Sequence, residues 1–325
     1  MQTTRIRHAK ILITGGAGFV GSHIVDQLLP YEPSKVCIVD NLVRGSLQNM
    51  SGFIDNPVVE FIDGDIRNKA LMEELIGNAD YVFHAAALRI NACAADQQEA
   101  FEVMVQATAN IIDSAAKQKV KKVIYSSSAS IYGMATVFPT PETHHPYDNQ
   151  TYYGAAKLFG EQLLRSYHFM HGLDYIALRY FNIFGPRMDL DGKYTEVLIR
   201  WLDCINSGKP PKIYGDGCTS MDFVYVEDVA RANVLALLSD RTDTVYNIGA
   251  SQEVSLKELL QTILKVNNAH DLKPEFVEMN TVNPVGRRQA DISRAQSELG
   301  FEVSTSLEDG IRKLAQWYLS AAQGK

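Results

Sequence analysis

A glycine-rich turn near the start of this 325-residue chain constrains the fold more than any other feature. The segment ILITGGAGFVGSHIVDQLL places Gly15, Gly18 and Gly21 between a β-branched apolar run and a pattern of helical period. Glycines at this spacing allow a tight turn and let the backbone approach a pyrophosphate, while helix N-terminal N–H groups face the negative charge. The segment therefore predicts a strand, a turn and a helix that bind a dinucleotide.

An acidic residue follows at the position that distinguishes between dinucleotides. Asp40 ends the next apolar run, 19 residues after Gly21. A carboxylate there can accept hydrogen bonds from both hydroxyl groups of the adenosine ribose, and it would repel a 2′-phosphate. We therefore predict NAD rather than NADP as the cofactor, although Arg44 lies near enough in the sequence to leave NADP open.

Short apolar runs alternate with longer helical patterns through the first half of the chain. Continuous runs of this kind are typical of strands buried on both faces, and the segments between them are long enough for crossover helices. The pattern predicts an α/β fold with a doubly wound parallel sheet, the Rossmann arrangement. The runs are KILIT (10–14), VCIVD (36–40), VEFIDGD (59–65), YVFHAA (81–86), KVIYSSS (122–128) and YIALRY (175–180).

The pattern changes after about residue 185, where longer loops with glycine and proline appear. We predict a dinucleotide-binding domain over 1–185 and a smaller α/β substrate-binding lobe over 186–325. A segment near 223–250 is expected to return to the first lobe, because TVYNIG at 244–249 has the composition of another strand. Helical patterns follow at 255–267 and 306–320.

Composition excludes several classes of partner. Lys and Arg number 31 against 38 Asp and Glu, which gives a net charge of −7, and no long basic run appears. Nucleic acid and anionic membranes are therefore poor candidates, and no apolar stretch approaches the length of a membrane span. Four scattered cysteines lack metal-ligand spacing, so we expect a reduced, cytoplasmic protein without a metal site.

Three polar residues form a candidate catalytic group. Tyr153 and Lys157 are four residues apart, which places both side chains on one face of a helix. By itself this spacing is also typical of a solvated surface pair. Ser128, however, ends the strand-like run KVIYSSS, and ligands of parallel sheets bind beyond the carboxyl ends of the strands. With a dinucleotide site upstream, a catalytic role is the better interpretation.

At this point the sequence resembles the extended short-chain dehydrogenase/reductase family, and within it the nucleotide-sugar epimerases typified by UDP-galactose 4-epimerase. The shared motifs occur in order along nearly the whole chain. They are TGGAGFVGS (14–22), DNL (40–42), GDI (64–66), HAAA (84–87), SSSASIYG (126–133), YGAAK (153–157), LRYFNIFGP (178–186) and YGDG (214–217).

The resemblance implies a role for each candidate residue. Tyr153 would be the general base for a sugar hydroxyl, with its pKa lowered by Lys157 and by the oxidised nicotinamide, while Ser128 shares the proton. Asp65 could flank the adenine, but a strand-end cap is a comparable alternative. The implied NAD-binding residues are Gly15, Gly18, Phe19, Val20, Gly21, Asp40, Asn41, Asp65, Ile66, Ala85, Ala86, Ala87, Tyr153 and Lys157. The implied substrate-binding residues are Ser128, Asn182, Tyr214, Arg89 and Arg288.

The residues after Ser128 indicate which reaction follows oxidation. Related 4,6-dehydratases carry an acidic pair there and decarboxylases a glutamate, whereas GDP-sugar epimerase/reductases carry a cysteine. Here the two positions are Ala129 and Ser130. We therefore predict epimerisation at C4 of a UDP-hexose, or of an N-acetyl or uronic acid form, through a 4-keto sugar. A reductase, dehydrogenase or dehydratase of a nucleotide sugar stays open, and so does a dinucleotide-binding regulator without turnover.

The chain also departs from the family pattern. Met221 occupies the place of a customary diphosphate-binding arginine, and Met104 stands where asparagine is more common. A second customary arginine is missing at its usual distance before AD (290–291), where only Arg287 and Arg288 are available. The resemblance further implies a homodimer, paired through a helix at about 97–118 and through the helix that begins at Tyr153.

Overall fold

A seven-stranded parallel sheet forms the centre of the molecule. The computed structural model describes residues 5–190, 196–278 and 285–323. The strands of this sheet are β1 (Lys10–Thr14), β2 (Lys35–Asp40), β3 (Val59–Asp63), β4 (Tyr81–His84), β5 (Lys122–Ser128), β6 (Tyr175–Tyr180) and β11 (Thr244–Ile248). The strand order is β11-β6-β5-β4-β1-β2-β3, and every neighbouring pair is parallel.

Helices cover both faces of this sheet, which confirms the predicted doubly wound fold. Successive residues of β1 enter different cores, since Ile11 and Ile13 pack in one cluster and Leu12 in the other. Both faces are thus apolar, and the strands read as continuous apolar runs. The helices around the sheet are α1 (Phe19–Leu28), α2 (Lys69–Gly77), α3 (Ile90–Ala95), α4 (Gln97–Ala100), α5 (Thr108–Lys117), α6 (Tyr152–His171), α8 (Val226–Leu238) and α10 (Ser293–Leu299).

The helix predicted over about 97–118 is continuous, but it contains a feature that the sequence did not predict. A π-helical stretch, Phe101–Ala107, connects α4 to α5. Within it lies Met104, whose sulfur accepts a hydrogen bond from the backbone N–H of Leu88 at 3.1 Å. The widened turn therefore contacts the loop that follows β4.

A second core lies beside the carboxyl ends of the sheet strands. It contains Trp201, Leu259, Ile263, Ile311 and Leu314, all almost fully buried. Its elements are β7 (Asn182–Phe184), α7 (Val197–Asn206), β8 (Lys212–Tyr214), β9 (Ser220–Met221), β10 (Phe223–Tyr225), β12 (Val254–Ser255), α9 (Leu256–Val266), β13 (Glu275–Val277) and α11 (Leu307–Gln323). The short strands form the pairs β10–β7, β12–β9 and β13–β8.

The chain crosses between the two cores more often than the sequence predicts. β11 lies at the edge of the sheet beside β6, and α8 packs on α1. Residues 290–301 also return to the first core, where Ala290, Ala295 and Phe301 are buried. No helix in the described ranges combines the length and apolar character needed to cross a membrane.

Candidate active site

A cavity of about 740 Å³ opens at the carboxyl ends of the sheet strands and is closed on its far side by the second core. Every residue predicted from the sequence to act in catalysis or binding lines it. These residues are Gly15, Gly18, Phe19, Val20, Gly21, Asp40, Asn41, Asp65, Ile66, Ala85, Ala86, Ala87, Arg89, Ser128, Tyr153, Lys157, Asn182, Tyr214 and Arg288. The structure thus brings the predicted set together, while the role of each residue stays a prediction.

The turn between β1 and α1 is shaped for close approach to a ligand. Gly15 has φ +72°, and a Cβ atom there would lie 2.7 Å from the backbone of Ala86. A Cβ atom on Gly21 would overlap the carbonyl oxygen of Gly15. Gly18 is the N-cap of α1 and provides no side-chain cap. The first N–H groups of α1 are thus available to an anion such as a pyrophosphate.

Asp40 is placed to recognise a ribose. Its carboxylate accepts backbone N–H groups from Ala17 at 3.1 Å and from Leu42 at 2.9 Å, and it also lines the cavity. Burial raises the pKa of Asp40 above its usual value. Arg44 is paired with Asp189 at 3.5 Å. This arrangement fits NAD, because the carboxylate can accept ribose hydroxyls and would repel a 2′-phosphate.

Asp65 lines the cavity and makes the hydrogen bonds of a strand-end cap, while its place beside the adenine stays a prediction. Its carboxylate accepts hydrogen bonds from the guanidinium of Arg67 at 2.7 and 3.0 Å and from the side chain of Asn41 at 2.9 Å. It also accepts the backbone N–H of Arg67 at 2.8 Å, as a strand-end cap does. The hydrogen bonds from Arg67 lower the pKa of Asp65 to about 2.

The three candidate catalytic residues meet at the end of β5. Ser128 lies close enough to Tyr153 for its hydroxyl group to lower the pKa of the phenol, and Ser128 Oγ accepts the backbone N–H of Ser130 at 3.1 Å. Lys157 Nζ donates to the carbonyl of Ser126 at 2.6 Å and lies 5.8 Å from the centre of the Tyr153 ring. The serine and the tyrosine are thus placed to share a proton, with the ammonium beside them.

The predicted lowering of the Tyr153 pKa is wrong for the groups that the protein itself supplies. Burial raises the pKa of Tyr153 to about 12 and outweighs the hydrogen bond from Ser128 and the charges of Arg44 and Arg288. Burial also lowers the pKa of Lys157 to about 8, which weakens its positive charge at higher pH. A working phenolate near neutral pH therefore needs a further positive charge in the cavity.

His84 lies below the three candidate catalytic residues, and its contacts are structural. Its Nδ1 is 2.8 Å from Thr14 Oγ1, and its Nε2 is 3.0 Å from Thr108 Oγ1. Burial and the charge of Lys157 lower the pKa of His84 to about 3. The imidazole is therefore neutral at physiological pH and joins β1, β4 and α5 below the cavity.

Two buried polar atoms on the second-core side of the cavity have no protein partner. They are Asn182 Oδ1 and Arg288 Nε. Burial lowers the pKa of Arg288 to about 10, and none of the ion pairs among the described residues includes Arg288. A guanidinium in the cavity wall that has no carboxylate partner fits an anionic ligand such as a diphosphate, which also accepts hydrogen bonds.

Several other arginines of the cavity wall are paired with carboxylates. Arg89 pairs with Glu196 at 3.3 Å, and Arg187 pairs with Asp26 at 2.6 Å. The sequence left the choice between Arg287 and Arg288 open. Only Arg288 lines the cavity, since Arg287 pairs with Glu253 at 2.7 Å outside it.

The far end of the cavity carries an aromatic surface. Tyr214 is 41% exposed, and the guanidinium carbon of Arg200 lies 6.0 Å from the centre of its ring. A ring exposed in this way can stack on a planar base. Met221 lines the same side of the cavity from β9 and supplies no charge.

Comparison with known proteins agrees with this geometry. The NAD dependent epimerase/dehydratase family matches residues 11–249. The chain belongs to this family. It is 35% identical over 314 residues to a putative UDP-glucose 4-epimerase of Methanocaldococcus jannaschii, covering 94% of this chain and 97% of the relative. It is 32% identical over 325 residues to a UDP-N-acetyl-alpha-D-glucosaminuronate decarboxylase of Bacillus cytotoxicus, covering 95% of this chain and 97% of the relative.

A solved structure is similar over the same length. The UDP-glucose 4-epimerase of Thermotoga maritima with UDP-glucose superimposes with a TM-score of 0.90 at 32% identity, covering 96% of this chain and 99% of that one. The present chain is therefore an NAD-dependent enzyme with the extended short-chain dehydrogenase/reductase fold. Its relatives include epimerases, decarboxylases and dehydratases of nucleotide sugars.

Proposed function

We propose that the enzyme inverts the configuration at C4 of a UDP-hexose, or of its N-acetyl or uronic acid form, through a transient 4-keto sugar. One observation carries this proposal. Ser128, Tyr153 and Lys157 are assembled for the oxidation of a hydroxyl group, while the two positions after Ser128 hold no acid or thiol. These two positions are Ala129 and Ser130.

The reaction begins with removal of a proton by the protein. Tyr153, as the phenolate, takes the proton of the 4-hydroxyl group while a hydride leaves C4 of the sugar. NAD supplies the hydride acceptor and, in its oxidised form, a positive charge that stabilises the phenolate. The keto sugar then rotates in the cavity and presents the opposite face of C4. The hydride returns to that face, and Tyr153 returns the proton. The cycle consumes no net oxidant or reductant.

The other two residues support this proton transfer. Ser128, which lies beside Tyr153 and lowers its pKa, offers its hydroxyl group as a second partner for the 4-hydroxyl group of the sugar. Lys157 is fixed by the carbonyl of Ser126, and it retains further N–H donors for ribose hydroxyl groups. Both contacts orient the reacting groups, which is a main source of rate enhancement.

The residues around Ser128 argue against elimination or decarboxylation. Ala129 is buried and has no polar side-chain atom. Ser130 offers only a hydroxyl group, which does not ionise near neutral pH, and its backbone N–H donates to Ser128 Oγ. Among the acidic residues in the described cavity wall, Asp189 and Glu196 are each paired with an arginine. This supports a cycle that ends with return of the hydride.

The substrate side supports a nucleoside diphosphate. The unpartnered atoms of Asn182 and Arg288 suit the diphosphate, and the exposed ring of Tyr214 suits the base. Uracil is our proposal for the base, since the three relatives compared above are described by their UDP-sugars. We also propose that the enzyme is a homodimer.

The test is a panel of UDP-, GDP-, CMP- and dTDP-sugars incubated with the purified enzyme without added reductant. Product stereochemistry is followed by NMR, and absorbance is followed at 340 nm. We expect a C4 epimer without a lasting change in absorbance. A lasting rise would indicate a dehydrogenase, and a dehydrated or decarboxylated product would assign the enzyme to the corresponding class. NAD binding without any turnover would favour a regulator.

A further inference from the structure

A buried carboxylate that does not reach the cavity joins three separate parts of the chain. Asp222 is 0% exposed and directly follows Met221. Its carboxylate accepts backbone N–H groups from Ala250 at 2.6 Å, from Ser251 at 2.9 Å and from Ala290 at 2.9 Å. The carboxylate thus supplies the hydrogen-bond acceptor for three backbone N–H groups.

One of these donors belongs to the segment that carries Arg288. Ala290 is two residues beyond Arg288, and the backbone N–H of Arg288 itself donates to the carbonyl of Ser220 at 3.0 Å. Ser251 holds the same segment from the other side, because its hydroxyl group donates to the carbonyl of Ala290 at 2.9 Å. Arg288 is therefore fixed through its backbone on both sides of the residue.

Asp222 is also tied to the second unpartnered residue of the cavity. Its backbone carbonyl accepts the N–H of Asn182 at 2.9 Å. The packing around the carboxylate is close, since a Cβ atom on Gly249 would lie 2.9 Å from Asp222 Oδ2 and 2.7 Å from the side chain of Ala290. The segments that carry Asn182 and Arg288 thus meet at one rigid junction.

We propose that Asp222 and Ser251 form a clamp that positions Arg288 for the diphosphate of the substrate. Neither residue lines the cavity, so both are positioning residues rather than catalytic ones. The inference rests on the proposed binding of a nucleoside diphosphate, but not on which reaction follows. A displaced backbone at Ala290 would move the guanidinium of Arg288, while the Ser128–Tyr153–Lys157 group, on other elements, would stay in place.

The first test replaces Asp222 by asparagine. The amide keeps one oxygen acceptor, but its NH₂ group must face a backbone N–H, so at least one of the three hydrogen bonds is lost. UDP is titrated into the NAD-loaded protein by calorimetry, and steady-state rates are measured with the substrate found by the panel. We expect Asp222→Asn to weaken UDP binding about tenfold and to raise KM similarly, with kcat within about twofold of wild type.

Asp228→Asn is the matched control. Asp228 is also 0% exposed, and its carboxylate accepts the backbone N–H groups of Ser304 and Thr305 and pairs with Arg231, so it holds neither the segment of Arg288 nor that of Asn182. We expect this variant to lose stability and to bind UDP as tightly as wild type. If it weakened UDP binding as much as Asp222→Asn, loss of a buried carboxylate in general would be the cause, and the clamp would be rejected.

A double-mutant cycle tests whether Asp222 acts through Arg288. Arg288→Met removes the guanidinium, so adding Asp222→Asn to it should not weaken UDP binding further. Ser251→Ala removes one hydroxyl group and keeps the test available if Asp222→Asn does not fold. It should weaken UDP binding about threefold in the wild-type background, and again have no effect beside Arg288→Met. Equal weakening in both backgrounds would overturn the proposal.

The same titration separates this inference from the proposed reaction. If the wild-type protein binds UDP but forms no epimer, the proposed reaction is rejected. The clamp is then tested by the double-mutant cycle alone. Wild-type protein that binds none of UDP, GDP, CDP and dTDP would reject both the diphosphate site and the clamp.

Discussion

Burial opposes the ionisation of Tyr153, the residue on which the proposed chemistry depends. Its phenol has a pKa of about 12 in the field of the protein alone, above the value of about 10 for free tyrosine. Arg44 and Arg288 act in the favourable direction, and the sequence did not indicate that Arg44 would lie near Tyr153. The protein thus keeps the tyrosine protonated until a further positive charge enters the cavity.

The first prediction concerns Tyr153 itself. Tyr153→Phe removes the base and keeps the ring, so we expect kcat to fall by about 10³-fold while NAD binding is unchanged. Tyr152→Phe is the control, because the neighbouring residue does not line the cavity, and it should retain nearly full activity. Rates come from the NMR assay and NAD occupancy from absorbance. A near-normal rate for Tyr153→Phe would reject the mechanism.

A second prediction follows from the charge of Lys157. Proton removal needs the phenolate of Tyr153, so kcat should rise with pH up to the pKa of that residue in the ternary complex. Lys157→Met removes a positive charge that favours the phenolate, which should raise this pKa and move the rising limb toward higher pH. Rates measured between about pH 5.5 and 10 decide the point. If the rising limb of the pH profile is the same in Lys157→Met and wild type, the charge of Lys157 does not lower the pKa of Tyr153.

At the scale of elements, the turn from β1 to α1 leaves no room for a side chain at Gly21. Gly21→Ala would place a methyl group against the carbonyl oxygen of Gly15, so the turn must open and the helix N-terminus must move. We expect NAD affinity to fall at least tenfold, as measured by calorimetry. Gly52→Ala is the control, since nothing lies within 4 Å of its new Cβ atom. Equal NAD affinity in both variants would contradict the assignment of this turn.

The elements themselves were largely predictable, for a physical reason. Strands covered on both faces must be apolar throughout, so runs such as 122–128 and 175–180 coincide with β5 and β6. The π-helical stretch at Phe101–Ala107 was not predictable, because its apolar spacing is that of an ordinary helix. Its contact partner, the backbone N–H of Leu88, belongs to a different element.

The second-core side of the cavity was less predictable than the dinucleotide side. The glycine turn and Asp40 are encoded within one continuous segment, and their spacing carries the information. The clamp at Asp222 depends on backbone N–H groups at 250, 251 and 290, and any residue but proline could supply them. Only the fold brings these donors together, and it alone places Arg288 rather than Arg287 in the wall.

At the scale of the whole molecule, the cavity needs both cores. The dinucleotide turn and the catalytic group come from the sheet, while Tyr214, Met221 and Arg288 come from elements beside the second core. The returns of β11 and of residues 290–301 to the first core join the two parts several times. This repeated crossing holds the proposed diphosphate contacts in a fixed position relative to the proposed catalytic group.

The outer face of the molecule suggests how two copies pair. Phe159 is 36% exposed and Met170 is 60% exposed, and they lie three turns apart on one face of α6. Phe101, on the neighbouring π-helical stretch, is 44% exposed. Apolar side chains placed together in this way mark a surface suited to association. We therefore propose that α6 and the helix beside it pair with their copies in a homodimer.

Light scattering at micromolar concentration tests this pairing. We expect the wild-type protein at twice the mass of the chain and Phe159→Glu at the mass of one chain, because a buried glutamate without a partner opposes association. Leu319→Glu, at a residue 45% exposed on α11, should remain dimeric. A monomeric wild type would reject the homodimer. Dimeric Phe159→Glu beside monomeric Leu319→Glu would place the interface on α11 instead.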